Sequence, residues 1–250
     1  MRDNFWSLDE YGEMLSFLLN KGYEFKQFDG GIINSSGTVY LRHDIDLCLS
    51  RALTMARFEK QLGISSTYYI MVRGAFYTLN DFNSIKVIEE IVKLGHTIGL
   101  HFDFSLVTNE TESAIKEQIL SESEMLSTIV GEPITSISFH RPISLEFFKE
   151  FYIEGLTHTY EARFIEKLEY VADSTGRWRH ASFWENEAIN DHKSLHLLIH
   201  PIWWVGDEMD SSFVKLLDWK KVYLGKFYDN LEKNLGAFWN HENLKEFKND

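Results

Sequence analysis

The chain has 250 residues, 44% of them hydrophobic, enough to build the core of one α/β domain. Its 38 acidic residues outweigh 25 basic ones for a net charge of −13, so nucleic acid and anionic membrane surfaces are not expected partners. A single cysteine excludes an internal disulfide, and no apolar run is long enough to span a bilayer, so the expected location is the cytoplasm.

Only three prolines occur, and no Pro/Gly/Ser-rich linker divides the chain. Residues 1–250 therefore read as one domain, with its oligomeric state left open. Ser7 with Glu10 three residues on gives a capping-box start. Leu8, Tyr11, Leu15, Leu18 and Leu19 then recur at helical spacing, predicting an N-terminal helix over about 7–20 that covers one end of the domain.

From Thr38 a rhythm sets in. Strands are predicted over Thr38–His43, Ser66–Val72, Thr97–Phe102, Ile134–Phe139, Tyr170–Asp173 and Leu195–Ile199. Helices are predicted over Leu49–Leu62, Phe82–Leu94, Glu112–Val130 and Leu145–Tyr152, and C-terminal helices over about 212–250 pack on the barrel. Strand followed by helix, repeated, is the pattern of a parallel sheet with crossover helices, whose chemistry sits at the carboxyl ends of the strands.

Those ends carry polar side chains. Arg42-His43-Asp44-Ile45-Asp46 closes the first strand, His101-Phe102-Asp103 the third, His140-Arg141-Pro142 the fourth and His200-Pro201 the last. Two carboxylates two residues apart point the same way while the chain stays extended. One Asp alone would read as a helix cap; two with a histidine exceed what a cap requires. Asp plus histidines with open positions suits zinc or a similar divalent ion. His96, at the amino end of its strand, reads as structural, and Cys48 as buried filler.

At these residues the chain resembles the polysaccharide deacetylase superfamily, also called the NodB-homology or carbohydrate esterase family four group. The resemblance runs from about Thr38 to His200. It rests on LRHDID (Leu41–Asp46), KLGHTIGLHFD (Lys93–Asp103), SFHRP (Ser138–Pro142) and LLIHP (Leu197–Pro201). It implies a distorted (β/α) barrel with fewer than eight regular strands, and metal-dependent hydrolysis of an N-acetyl or similar acyl group on a sugar or sugar precursor. By position, Asp44 is the general base, Asp46 and His101 are metal ligands, Arg141 holds and polarises Asp44, and His200 is the general acid. Asp173 falls where it would orient His200, and Trp178 where it would wall the sugar site.

One departure stands out. Where the resemblance implies a further metal histidine, four residues after His101, the chain has Ser105. His140 is the first choice for the missing ligand and Asp103 the second. His43 is expected behind the ligands. The cofactor expected is one divalent ion, zinc first, with cobalt, manganese, nickel and iron as alternatives. The substrate expected is a small molecule or oligosaccharide, with Trp184, Trp203 and Trp204 as candidates for stacking on a sugar face. Two further readings keep the same barrel: a deformylase or cyclic-amide hydrolase of a small metabolite, and an inactive sugar-binding relative, which Ser105 favours.

Overall fold

The computed structural model describes residues 6–28, 31, 36–109, 111–142, 144–179, 182–207 and 210–235. Helix α1 (Leu8–Asn20) and strand β1 (Glu24–Lys26) precede the strand that organises the domain, β2 (Thr38–Ile45). There follow α2 (Leu49–Gln61), β3 (Thr67–Ile70), α3 (Phe82–Lys93), β4 (Thr97–Asp103), α4 (Glu112–Val130) and β5 (Ser136–His140). The second half is made of shorter pieces: α5 (Leu145–Glu150), β6 (Thr157–His158), α6 (Ala162–Ile165), β7 (Glu169–Ala172), α7 (Glu187–Asn190), β8 (Leu195–Ile199) and α8 (Pro201–Trp204). It ends in the long α9 (Ser212–Leu235). The expected C-terminal helical region is observed as far as Leu235; residues 236–250 lie outside the described residues.

All strand pairs are parallel, in the order β6-β5-β4-β3-β2-β8-β7, with β1 added beside the first half of β2. This is the distorted (β/α) barrel expected, with seven strands along its path. Among the described residues β6 and β7 are not paired with each other, so the wall is open there.

Alternation along the strands sorts side chains to two faces. On β2, Val39, Leu41 and Ile45 turn outward into apolar clusters under the helices, whereas Tyr40 joins Phe28, Tyr69, Phe164 and Leu168 inside. Gly99 of β4 is required by this inner layer: a Cβ there would sit 2.4 Å from the Tyr69 ring. Local signals agree with the elements. Ser7 Oγ accepts the Glu10 N–H at 3.0 Å, and Gly131, at φ 79°, closes α4 in the left-handed conformation that a Cβ disfavours.

Two expectations change here. Helix α1 does not cover an end of the barrel. Tyr11, Met14, Leu15 and Leu18 cluster with Val39 and Leu41 of β2 and Leu195 and Leu197 of β8, so α1 lies along the outer flank of those strands. Cys48 is not buried filler; it is half-buried at the N-cap of α2, its sulfur 3.2 Å from Ser50 Oγ.

Between β2 and its covering helices lies a fully buried carboxylate, Glu59 of α2. It accepts hydrogen bonds from Tyr11 Oη at 2.5 Å, Ser66 Oγ at 2.6 Å and Tyr68 Oη at 3.1 Å. His43 Nε2 lies 2.7 Å away without hydrogen-bond alignment, and His96 Nδ1 lies at 3.5 Å. Burial alone would raise the Glu59 pKa, but His43 first, then His96 and Ser66, outweigh it and hold the carboxyl below its usual range. His96 is thus structural, as expected. His43 is not behind the metal ligands: alternation places it on the opposite face of β2 from Arg42 and Asp44.

Removing the carboxylate strands several buried donors at once. Glu59→Ala should destabilise the fold by about 3–5 kcal/mol in chemical denaturation. Because the folded-state pKa of Glu59 is depressed, its contribution is present above the ordinary Glu range and is lost as pH falls through the folded value. The stability gap between wild type and Glu59→Gln should therefore narrow on acidification; a gap that widens as pH falls would contradict this.

Candidate metal centre

At the carboxyl ends of β2, β4 and β5, the structure brings together Asp46, His101 and His140, whose ligand atoms all lie within 4.8 Å of one another. Asp46 follows the last residue of β2, His101 points inward from β4, and His140 ends β5. Asp46 Oδ1 is 3.1 Å from His101 Nε2 and 3.3 Å from His140 Nδ1. Burial by itself would lift the Asp46 carboxyl, but the neighbouring imidazoles of His101 and His140 hold it far below the usual carboxylate range. His140 is buried enough to disfavour its charge, yet Asp46 raises its pKa on balance.

The donor set suits a divalent cation: one carboxylate oxygen and two imidazole nitrogens. A second observation concerns the histidine tautomer. Ser138 Oγ donates to Asp44 Oδ1 at 3.0 Å, which uses its single proton. It can then only accept from His101 Nδ1, also 3.0 Å away. That puts the imidazole proton on Nδ1 and leaves the Nε2 lone pair facing Asp46, the arrangement a metal ligand requires.

Asp103 is not part of the group. Its Oδ1 accepts the Ser105 N–H at 2.8 Å and caps the short 3-10 turn Phe104–Leu106. Ser105 itself meets Arg141, whose Nη1 lies 3.3 Å from its Oγ.

The guanidinium on Asp44 is not that of Arg141. Arg141 is exposed on the loop after β5, with φ 53°. Arg42, two residues before Asp44 on the same face of β2, is fully buried and sets Nη2 3.1 Å from Asp44 Oδ2. Its Nη1 donates to Thr159 Oγ1. Burial would raise the Asp44 pKa, but Arg42 first, then His101 and His200, bring it below the usual value.

Across the site stands His200, just past β8. Its Nδ1 is 2.6 Å from Asp173 Oδ1, and its backbone N–H also reaches that carboxylate at 2.9 Å. Trp204 Nε1 donates to Asp173 Oδ2 at 2.7 Å. Asp173, fully buried, thus orients the ring and leaves His200 Nε2 on the Asp46 side, 3.9 Å from Oδ2. Burial opposes a charged imidazole, but Asp173 foremost raises the His200 pKa to about 9. Asp173, expected from its position to orient His200, contacts His200 in the fold and also accepts from Trp204.

The tryptophans divide. Trp178 is not a site wall: it is buried, with ring centroids 5.2 Å from Trp6 and 6.0 Å from Trp204. Trp204 is fully buried as well, and Trp184 lies against Phe17 of α1. Trp203 is half-buried, with its indole nitrogen lacking a protein partner. Sequence reasoning missed Arg42, Ser138 and Thr159. The first two share a face with Asp44 and His140 by alternation, a signal present in the sequence.

No family model matches this chain, and no curated protein matches it. Solved structures similar to it include IcaB from Ammonifex degensii, 18% identical over 52% of this chain and 65% of that one, with a TM-score of 0.40. A carbohydrate esterase family four pseudoenzyme from Bacillus anthracis is 12% identical over 77% of this chain and 60% of its own, with a TM-score of 0.41. The peptidoglycan deacetylase PdaC from Bacillus subtilis is 13% identical over 82% of this chain and 98% of its own, with a TM-score of 0.43. The chain thus spans less than two thirds of the first two structures.

The ligand set is open to direct test. Elemental analysis should find about one divalent ion per chain, as three protein ligands with open positions would hold. Asp46→Ala, His101→Ala and His140→Ala should each strip it, and Asp103→Ala should not. Equal metal content in His140→Ala and wild type would remove His140 from the site.

Proposed function

We propose that this protein is a metal-dependent hydrolase that removes an N-acetyl or similar acyl group from the amine of a sugar or sugar precursor. The observation that carries the reading is the coupling of base to ligand set: one hydroxyl, Ser138, joins Asp44 to His101, and a separately oriented histidine, His200, faces them. The motifs LRHDID, SFHRP and LLIHP that supply these residues resemble those of polysaccharide deacetylases. Asp46, His101 and His140 would hold the ion, with zinc proposed from the two imidazoles and one carboxylate. A bound ion of this kind supplies Lewis acidity toward a carbonyl oxygen and acidifies water.

The protein's own groups account for the proton movements. Arg42 keeps Asp44 ionised, so Asp44 accepts the proton of the attacking water. Asp173 keeps His200 protonated, so His200 Nε2 donates to the leaving amine as the carbon–nitrogen bond breaks. Trp203 is the residue proposed to lie against the sugar. The lone cysteine fits the reducing cytoplasm, and no helix among the described residues is long and apolar enough to cross a membrane.

Release of acetate and free amine from N-acetylated sugars, free and nucleotide-linked, tests the activity in metal-loaded protein. Asp44→Asn should keep the ion yet lose about 100-fold or more in rate. If it sheds the ion instead, Asp44 is a ligand and not the base. The two limbs of the pH–rate profile should respond separately. Arg42→Gln removes the largest influence that lowers the Asp44 pKa, so the acid limb moves to higher pH, while Arg141→Gln leaves it in place. Asp173→Asn removes the largest influence that raises the His200 pKa, so the alkaline limb moves to lower pH. A profile unmoved by Asp173→Asn would exclude His200 as the acid.

A further inference from the structure

After β3 the chain runs through residues 71–81 before α3 begins, at the same end of the sheet as Asp46. Three contacts pin this loop to the domain. Arg73 Nε lies 2.7 Å from Glu122 Oε1 on α4, Phe76 packs edge-to-face on Trp219 of α9 at 5.2 Å, and Leu79 is buried in the core. Between Phe76 and Leu79 stands Tyr77. Its hydroxyl donates to the Ile45 carbonyl at 2.6 Å and accepts the Met71 N–H at 2.9 Å.

The last residues paired between β2 and β3 are Ile45 and Ile70. One side-chain hydroxyl thus joins the two strands where their own ladder stops, giving its single proton to one and a lone pair to the other. Burial foremost raises the Tyr77 pKa, with the Asp46 carboxylate adding to it, so the hydroxyl keeps that proton. Gly74 lets the loop fold back this tightly: a Cβ there would lie 3.3 Å from Met71 Cβ and 3.6 Å from Tyr77 Cζ.

Asp46 lies beyond both ladders of β2, which end at Ile45 toward β3 and at His43 toward β8. Strand pairing therefore does not orient it. The Ile45 carbonyl, however, belongs to the same planar unit as the Asp46 N–H and Cα. Holding that oxygen fixes the plane from which the Asp46 side chain departs.

We propose that Tyr77 is a positioning residue for the metal centre: its hydroxyl, acting through the Ile45–Asp46 peptide, aims the Asp46 carboxylate at His101 and His140. The inference rests on the reading of those three residues as the ligand set. Through Phe76, the C-terminal helix braces the same loop.

Titration of metal-depleted protein with zinc and with cobalt tests this. Tyr77→Phe keeps the ring and deletes only the hydroxyl. It should weaken metal affinity by about 10–100-fold, the usual effect of losing a group that orients a ligand. It should also shift the visible absorption of bound cobalt, which reports ligand geometry. Tyr68→Phe is the comparator, because it removes one buried hydroxyl from the Glu59 cluster on the other face of the sheet. It should lower the melting temperature and leave zinc affinity and the cobalt spectrum as in wild type. Gly74→Ala, which crowds Met71 and the Tyr77 ring, should behave like Tyr77→Phe and carries the comparison if that variant does not fold. Wild-type affinity with an unchanged cobalt spectrum in Tyr77→Phe would overturn the proposal and leave the ligand set standing. An equal loss of affinity in Tyr68→Phe would also overturn it, since the effect would then be general loosening of the fold. A wild type that binds neither ion would overturn the ligand set and this inference with it.

Discussion

A serine hydroxyl has one proton to give, and at Ser138 its destination decides the chemistry of the whole site. Spent on Asp44, it makes the same oxygen an acceptor for His101 and thereby fixes which imidazole nitrogen is free. The proposed base, Asp44, and the proposed ligand His101 are thus not two features placed near each other. They are two ends of one hydrogen-bonded chain, and a rotation of Ser138 would disturb both. Asp44 needs a second, stronger hold because it is buried, and Arg42 provides it at 3.1 Å while its Nη1 donates to Thr159 Oγ1. Burial makes each of these contacts consequential, since an unpaired charge there would be far costlier than at the surface.

The opposite side of the site follows the same logic with other residues. Asp173 is fully buried yet accepts from a backbone N–H, an imidazole and the Trp204 indole. Trp204 in turn packs with Trp6 and Tyr11, so the orientation of His200 is anchored in the aromatic cluster beneath α1. This explains why Trp178 and Trp204 serve as core and not as sugar-facing walls: their rings support the carboxylate that supports the histidine.

Much of this was legible in the sequence. The four-strand convergence of Asp44 and Asp46, His101, His140 and His200 follows from reading strand ends in a parallel fold, and α4 and β8 match their expected bounds to the residue. The grouping of His140 with Asp46 and His101 also follows from proximity of neighbouring strand ends. Arg42 escaped because the likeness of SFHRP drew attention to Arg141, whereas the contact to Asp44 depends on strand alternation within β2. The two-residue β6 and three-residue β1 are too short to leave a periodic signal. Glu59 reads as an ordinary charge on a helix until packing shows that α1, β2 and β3 all converge on it.

Strand β2 carries polar groups on both of its faces, Arg42 and Asp44 inward and His43 outward against Glu59. A slip of one residue in its pairing with β3 or β8 would exchange the two sets. Arg42 and Asp44 would be thrust under the apolar helices, and His43 would face the barrel without its carboxylate. Most strands are kept in register by the modest preference of apolar side chains for one side. Here misalignment would strand several buried ions at once, so β2 has a single admissible pairing, a form of proofreading against misfolded sheets.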